Sequence, residues 1–101
     1  MKAQIWNHSE WIALTDPDKL YDLLQRMLEE SGFKILDHAE HHFKPQGYTC
    51  LWLLAESHLA IHTFPEQNKT YIELSSCMLK PFTSFLVGLD LYTEKAYNED
   101  V

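Results

Sequence analysis

Apolar residues between Pro17 and Gly32 recur at helical spacing and predict an amphipathic helix. The recurring residues are Leu20, Leu23, Leu24, Met27 and Leu28. They fall on one face of a helix of about 3.6 residues per turn, so this face is expected to pack into the core. Asp16 is a suitable N-cap and Pro17 a suitable first-turn residue, and Gly32 is typical of a helix end.

Two shorter apolar runs, 49–55 and 58–64, predict strands. Only Glu56 and Ser57 separate them, so the chain is expected to bend or bulge tightly at this point. On the second strand, side chains alternate between two faces. Leu59 and Ile61 are expected to face the core, with Thr63 on their side. The other face would then gather an aromatic ring and two imidazoles beside a serine: His58, Ala60, His62 and Phe64.

The remaining pattern predicts further strands and a second helix. Segment 33–43 is expected to be extended, and Pro45-Gln46-Gly47 predicts a turn. Segment 71–77 predicts another strand, and Pro81 the start of a helix. Its apolar face would comprise Phe82, Phe85, Leu86 and Leu89. Antiparallel strands with helices on one face give an α+β fold, a two-layer sandwich.

Composition narrows the function classes. A length of 101 residues predicts a single domain, 1–101. The net charge of −7 argues against a nucleic-acid partner. No apolar run has the length of a signal peptide or a membrane span, so no membrane partner is expected. Cys50 and Cys77 lie far apart and form no metal or redox motif, which favours free thiols in a cytoplasmic protein.

The chemistry of segment 43–66 is ambiguous from residue types alone. Ser57 near His58 and His62 suggests an activated hydroxyl nucleophile, but such pairs also arise by chance in strands. No G-x-S-x-G motif indicates an α/β-hydrolase. The histidines at 38, 41, 42, 58 and 62 lack a recognised zinc spacing, so no metal site is predicted. A non-catalytic module that binds a metal or a nucleoside is the alternative.

The string ESHLAIHTFPE at residues 56–66 carries a family resemblance. With Gly47-Tyr-Thr before it and Cys77 after it, the chain resembles the small prokaryotic S-adenosylmethionine decarboxylases. Their pattern is an aromatic residue, G-x-[ST], E-S-H-x-x-I-H-T-W-P-E and a downstream cysteine. The match is dense from Phe43 to Glu66 and looser to Cys77. The motif is long and chemically mixed, and therefore far more specific than a serine–histidine pair.

The resemblance implies self-cleavage between Glu56 and Ser57, giving a β chain of residues 1–56 and an α chain of 57–101. The Ser57 hydroxyl would attack the preceding carbonyl, and elimination across the resulting ester would leave a covalent pyruvoyl cofactor derived from Ser57. By the same resemblance, Thr49 would stabilise the oxyanion and His62 would remove the α-proton.

The resemblance also implies how the mature enzyme would act on S-adenosylmethionine. The pyruvoyl carbonyl would condense with the substrate amine and accept electrons as CO₂ departs, and Cys77 would return a proton. Phe43 and Phe64 would stack on adenine, and Glu66 would bind the ribose. The product would be the aminopropyl donor for spermidine. The family suggests a homodimer with its sites near the subunit contact.

Several positions depart from the family pattern. Phe64 stands where tryptophan is usual, Ala60 where a small hydroxyl residue is frequent, and Met78 where glycine often follows the cysteine. Glu73 keeps an acidic residue before the cysteine. These changes leave a second interpretation open, a pyruvoyl-dependent decarboxylase of ornithine or arginine. No role is assigned to His38, His41, His42 and His58.

Overall fold

The computed structural model describes residues 2–100, with side chains through residue 96. Residues 1 and 101, the ends of the predicted domain, lie outside the described residues. The elements are β1 (Trp6–Ile12), α1 (Pro17–Ser31), β2 (Ile35–His42), β3 (Tyr48–Leu54), β4 (Ser57–Phe64), a 3₁₀ turn (Pro65–Gln67), β5 (Lys69–Ser76) and α2 (Leu79–Asp100).

The five strands form one antiparallel sheet in the order β1-β5-β4-β3-β2. Both helices pack on the same face of the sheet, where they join its inward side chains in a single apolar core. This arrangement is the predicted α+β sandwich of two layers. No element within residues 2–100 covers the opposite face, called the outer face below, on which Leu51 and Leu53 are 47% and 55% exposed.

Helix α1 has the predicted ends. The Asp16 carboxylate accepts a hydrogen bond from the Lys19 N–H at 2.9 Å, which satisfies one of the free donors of the first turn. Gly32 has φ +98° and its N–H donates to the Glu29 carbonyl at 3.1 Å. A residue with a side chain would be strained in this left-handed conformation, so glycine ends the helix here.

Strand β1 was not predicted. Asn7, Ser9 and Trp11 are exposed, whereas Trp6, His8 and Glu10 are half-buried on the helix side. Polar residues occupy both faces, so the sequence lacks the apolar alternation that usually marks a strand. The extended conformation of this segment is therefore determined by its pairing with β5 and not by the local sequence pattern.

Helix α2 begins at Leu79, two residues before the predicted start at Pro81. The first N–H groups of a helix have no partner within it, so a proline is tolerated in this turn. Phe82, Phe85 and Leu89 are buried, as predicted for the apolar face, and Leu86 is half-buried.

Candidate active site

The turn between β3 and β4 contains only two residues, Ala55 and Glu56, because Leu54 pairs directly with Ser57. A tight bend is present as predicted, but it lies one residue earlier than Glu56 and Ser57, because Ser57 already pairs as the first residue of β4. Glu56 has φ +59°, in the left-handed region. At this position of a turn glycine or asparagine is usual, and such a backbone costs on the order of 1–3 kcal/mol for other residues. The bond that joins Glu56 to Ser57 thus lies in a strained turn.

Hydrogen bonds from the end of β5 hold both sides of this bond. The Cys77 N–H donates to the Glu56 carbonyl oxygen at 3.1 Å, and the Ser57 hydroxyl donates to Ser76 Oγ at 2.6 Å. Ser57 and Ser76 are directly paired across β4 and β5, and both are buried. We call Glu56, Ser57, Ser76 and Cys77 the serine cluster. It lines a small cavity of about 240 Å³.

The thiol of Cys77 is exposed, so this residue is not a buried core cysteine. Cys50 is the buried one. Burial raises the pKa of Cys50 to about 11, despite an opposing hydrogen bond with Tyr48. Its thiol therefore stays protonated near neutral pH, and Cys77 is the cysteine accessible for chemistry.

The second group of predicted residues lies at the other end of the same hairpin. Thr49 and His62 are paired across β3 and β4, and Thr49 Oγ1 lies 2.9 Å from His62 Nδ1. Phe43, Phe64 and Glu66 line the same cleft of about 330 Å³. We call these five residues the histidine cluster. The structure therefore brings together all predicted substrate-binding residues with two of the processing residues.

Two turns position Phe43 and Glu66 of the histidine cluster. The Phe43 N–H donates to the Gly47 carbonyl at 2.8 Å, and Gly47 has φ +115°, which favours glycine. The 3₁₀ turn after β4 directs Glu66 back toward this loop, where its carboxylate accepts a hydrogen bond from the Gln46 amide at 3.3 Å. Loop residues that precede β3 and follow β4 therefore border the cleft.

The two clusters do not meet within one chain. Ser57 and His62 are five positions apart on β4, which corresponds to about 16 Å along an extended strand. They also lie on opposite faces, because Ser57 shares the buried helix face with Leu59, whereas His62 shares the outer face with Phe64. The predicted alternation along β4 is confirmed, with both imidazoles on the outer face and Leu59 and Ile61 on the helix face. The serine that precedes them in sequence lies on the helix face.

Two aromatic residues beside the histidine cluster were not predicted. The Trp11 ring lies 5.7 Å from that of Phe64 and 5.3 Å from that of Tyr71, between centroids. The Tyr71 ring in turn lies 6.4 Å from the His62 imidazole. Their place follows from the register of β1, β5 and β4, in which Trp11 pairs with Tyr71 and Tyr71 with His62. Local sequence carried no signal for this register.

Three of the four histidines without an assigned role make aromatic contacts. His41 lies 4.5 Å from the Phe43 ring, His42 4.7 Å from Tyr48, and His38 5.2 Å from Tyr21. Among the described residues, no group of three or more His, Cys, Asp or Glu side chains is arranged to hold a metal ion. Neither of the helices described here is long and apolar enough to span a membrane.

Comparison with known proteins identifies relatives of this chain. A sequence model of the S-adenosylmethionine decarboxylase family matches residues 5–85. The "S-adenosylmethionine decarboxylase proenzyme 2" of Bacillus cereus is 49% identical over 47 residues, which cover 46% of this chain and 38% of the relative. The proenzyme of Prochlorococcus marinus is 39% identical over 64 residues, covering 63% of this chain and 51% of the relative.

The fold is similar to the crystal structure of the adenosylmethionine decarboxylase from Aquifex aeolicus. The TM-score is 0.67 at 21% sequence identity, over 89% of this chain and 83% of the other. The alignments with these curated relatives span roughly half of the relatives' length or less.

Proposed function

This chain belongs to the S-adenosylmethionine decarboxylase family, and from that premise we propose that it is a self-processing enzyme that decarboxylates S-adenosylmethionine. Its cofactor would be a pyruvoyl group made from Ser57. The observation that carries the proposal is the serine cluster, in which a strained turn, a hydrogen-bonded carbonyl and a buried hydroxyl surround one peptide bond. The term proenzyme in the relatives' names agrees with self-processing.

In the proposed cleavage, Ser57 Oγ attacks the Glu56 carbonyl carbon. A C–O bond forms, the Glu56–Ser57 C–N bond breaks, and the hydroxyl proton ends on the released Ser57 nitrogen. The Cys77 N–H already donates to the Glu56 oxygen, so in this proposal it stabilises the negative charge that develops there. It replaces the Thr49 hydroxyl expected from the resemblance, which in the same chain lies at the other end of the hairpin beside His62. Relief of the left-handed Glu56 backbone favours the step.

Elimination then requires a base for the Ser57 α-proton, and His62 fills this role in the proposal. Its Nδ1 is held by the Thr49 hydroxyl, which orients the ring. As the proton leaves, the bond between Ser57 Cβ and the ester oxygen breaks, and Glu56 departs as a carboxylate. Hydrolysis of the remaining dehydroalanine yields the pyruvoyl group and ammonia.

Because Ser57 and His62 lie at opposite ends of β4, the proposal requires a second copy of the chain. Two chains stacked by their outer faces, with a two-fold axis crossing the strands near Ala60, would bring the Ser57 end of each over the His62 end of the other. Leu51 and Leu53 would be buried at the centre of this contact, which accounts for their exposure in one chain. The proposed unit is therefore a homodimer with two composite sites.

The residues present fit the pyruvoyl group, since Ser57 lines a small cavity together with the exposed Cys77. Once formed, the group would supply an electron-accepting carbonyl for the carbanion left by CO₂. Cys77 would protonate that carbanion. Phe43 and Phe64 offer aromatic faces to adenine and to the sulfonium cation, and Glu66 offers acceptors to the ribose hydroxyls. Two free thiols fit the reducing cytoplasm where we place the enzyme.

The direct test is intact-protein mass spectrometry under denaturing conditions, before and after borohydride treatment. We expect two fragments, residues 1–56 and 57–101, of which the second gains two hydrogens on reduction. Ser57→Ala should remain one chain. A wild-type protein that stays uncleaved and unreduced after long incubation would reject the proposal and favour the binding-module alternative.

The substrate is tested by release of CO₂ from S-adenosylmethionine, ornithine and arginine at matched concentrations. We expect turnover of S-adenosylmethionine alone. If ornithine or arginine is turned over instead, the pyruvoyl mechanism stands but the proposed substrate is wrong. Such a result would agree with the differences from the family pattern at Phe64 and Met78.

A further inference from the structure

We propose that Ser76 is a positioning residue for self-cleavage, holding the Ser57 hydroxyl so that its lone pairs remain free to attack. The inference rests on the proposed function, because it assigns a residue to the cleavage step. Ser76 lies next to Cys77 but has no counterpart among the site residues expected from the sequence. It is 1% exposed and directly paired with Ser57 on the helix face of the sheet.

The hydrogen bonds around Ser76 fix the direction of its contact with Ser57. Ser76 Oγ accepts the Met78 N–H at 2.8 Å and directs its own proton to the Met78 carbonyl at 3.3 Å. A hydroxyl has one donor and two acceptor positions, so a single acceptor position remains. The Ser57 hydroxyl donates to that position at 2.6 Å.

This direction matters for the chemistry. Because Ser57 is the donor, its proton points at Ser76 and neither of its lone pairs is used in that contact. The oxygen is therefore oriented as a nucleophile while it stays buried. The hydrogen bond also draws electron density onto the Ser57 oxygen as attack begins, until the proton passes to the Ser57 nitrogen.

Three consecutive residues, 76–78, hold both the attacking hydroxyl and the carbonyl group that it attacks. Ser76 holds the attacking hydroxyl, Cys77 holds the carbonyl oxygen through its N–H, and Met78 fixes the rotamer of Ser76 through both of its backbone groups. Misplacement of a reacting atom by about 1 Å can cost about 100-fold in rate. We therefore expect Ser76→Ala to slow cleavage by about 100-fold, and Ser76→Thr, which keeps the hydroxyl, to restore most of the rate.

The test follows the precursor of each variant over time by mass spectrometry, with and without hydroxylamine, which cleaves esters faster than amides. Ser76→Ala should accumulate an amide precursor that resists hydroxylamine, since the acyl shift is slowed. His62→Ala should accumulate an ester that hydroxylamine cleaves, since only elimination is blocked. A merely structural role for Ser76 would instead lower the melting temperature in step with the rate, as measured on the same samples.

Thr70→Val is the matched control for folding. Thr70 is also buried on β5, and its hydroxyl donates to the Leu14 carbonyl at 2.6 Å, far from Ser57 along the strand. We expect this variant to lower the melting temperature while cleaving at the wild-type rate.

Cleavage of Ser76→Ala at the wild-type rate, an ester in its precursor, or equal slowing by Ser76→Thr would each overturn the inference. If the wild-type chain itself does not cleave, the proposed function fails instead, so the two failures are distinguishable.

Discussion

The two ends of strand β4 present different kinds of chemistry. At the Ser57 end, backbone groups and small hydroxyls are fixed by a tight turn and by the adjoining end of β5, and most of them are buried. At the His62 end, larger side chains stand on an open face beside a cleft, where Phe43 and Phe64 are 51% and 36% exposed. The first arrangement suits a reaction of the chain with itself, and the second suits a ligand.

Under the proposed function, this difference accounts for two incomplete sites in one chain. A strained peptide bond needs neighbours that cannot move, and these come from adjacent residues and paired strands. A substrate pocket needs side chains that a ligand can reach. In the proposed enzyme, cleavage and substrate recognition would be separated along the hairpin, and a second chain would join them.

The largest expected effect comes from mixing two inactive variants. Ser57→Ala lacks the reacting serine, and His62→Ala lacks the base, whose loss should slow cleavage by about 100-fold or more. In a mixed dimer, one composite site would combine the Ser57 of one chain with the His62 of the other. Co-expression should therefore restore cleavage of the His62→Ala chain alone, as judged by the masses of the fragments.

Each variant expressed by itself is the control for this experiment. If both co-expressed variants stay uncleaved while the wild-type protein cleaves normally, the site is not shared between chains.

The next effect concerns the outer face itself. Leu53→Lys places a charge where the proposed interface is apolar, and burying an unpaired charge is strongly unfavourable. We expect the variant to sediment as a monomer at micromolar concentration and to cleave slowly. Val87→Lys, on helix α2 and likewise 55% exposed, is the matched control and should behave as wild type. A dimeric Leu53→Lys that cleaves normally would exclude this face as the contact.

The smallest effect concerns the ligand end. Phe64→Ala should raise KM for S-adenosylmethionine roughly 2- to 10-fold, the worth of one aromatic stacking contact. Phe64→Trp should lower KM, because the larger ring offers more stacking area. Leu91→Ala, an exposed apolar truncation on α2, serves as the control. If neither substitution at Phe64 changes KM, this residue does not contact the substrate.

Local signals in the sequence predicted most of the elements correctly. The ends of α1 follow from Asp16, Pro17 and Gly32, since capping and backbone preference act within a few residues. A tight turn between β3 and β4 followed from the interruption of two apolar runs, although the strand pairing places it at Ala55 and Glu56, one residue before the predicted position. Strand β1 was missed because its polar residues carry no alternating pattern and its conformation depends on pairing with β5.

The sequence by itself determined the family, through a motif whose residue types and spacing are specific, and it named every residue now found in the two clusters except Ser76. Only the tertiary structure decided which of those residues meet. Alternation along β4 sends Ser57 and His62 to opposite faces, and strand length keeps them about 16 Å apart. Register across β4 and β5 brought Ser76 to Ser57, because contacts between distant segments depend on pairing and packing that no local pattern encodes.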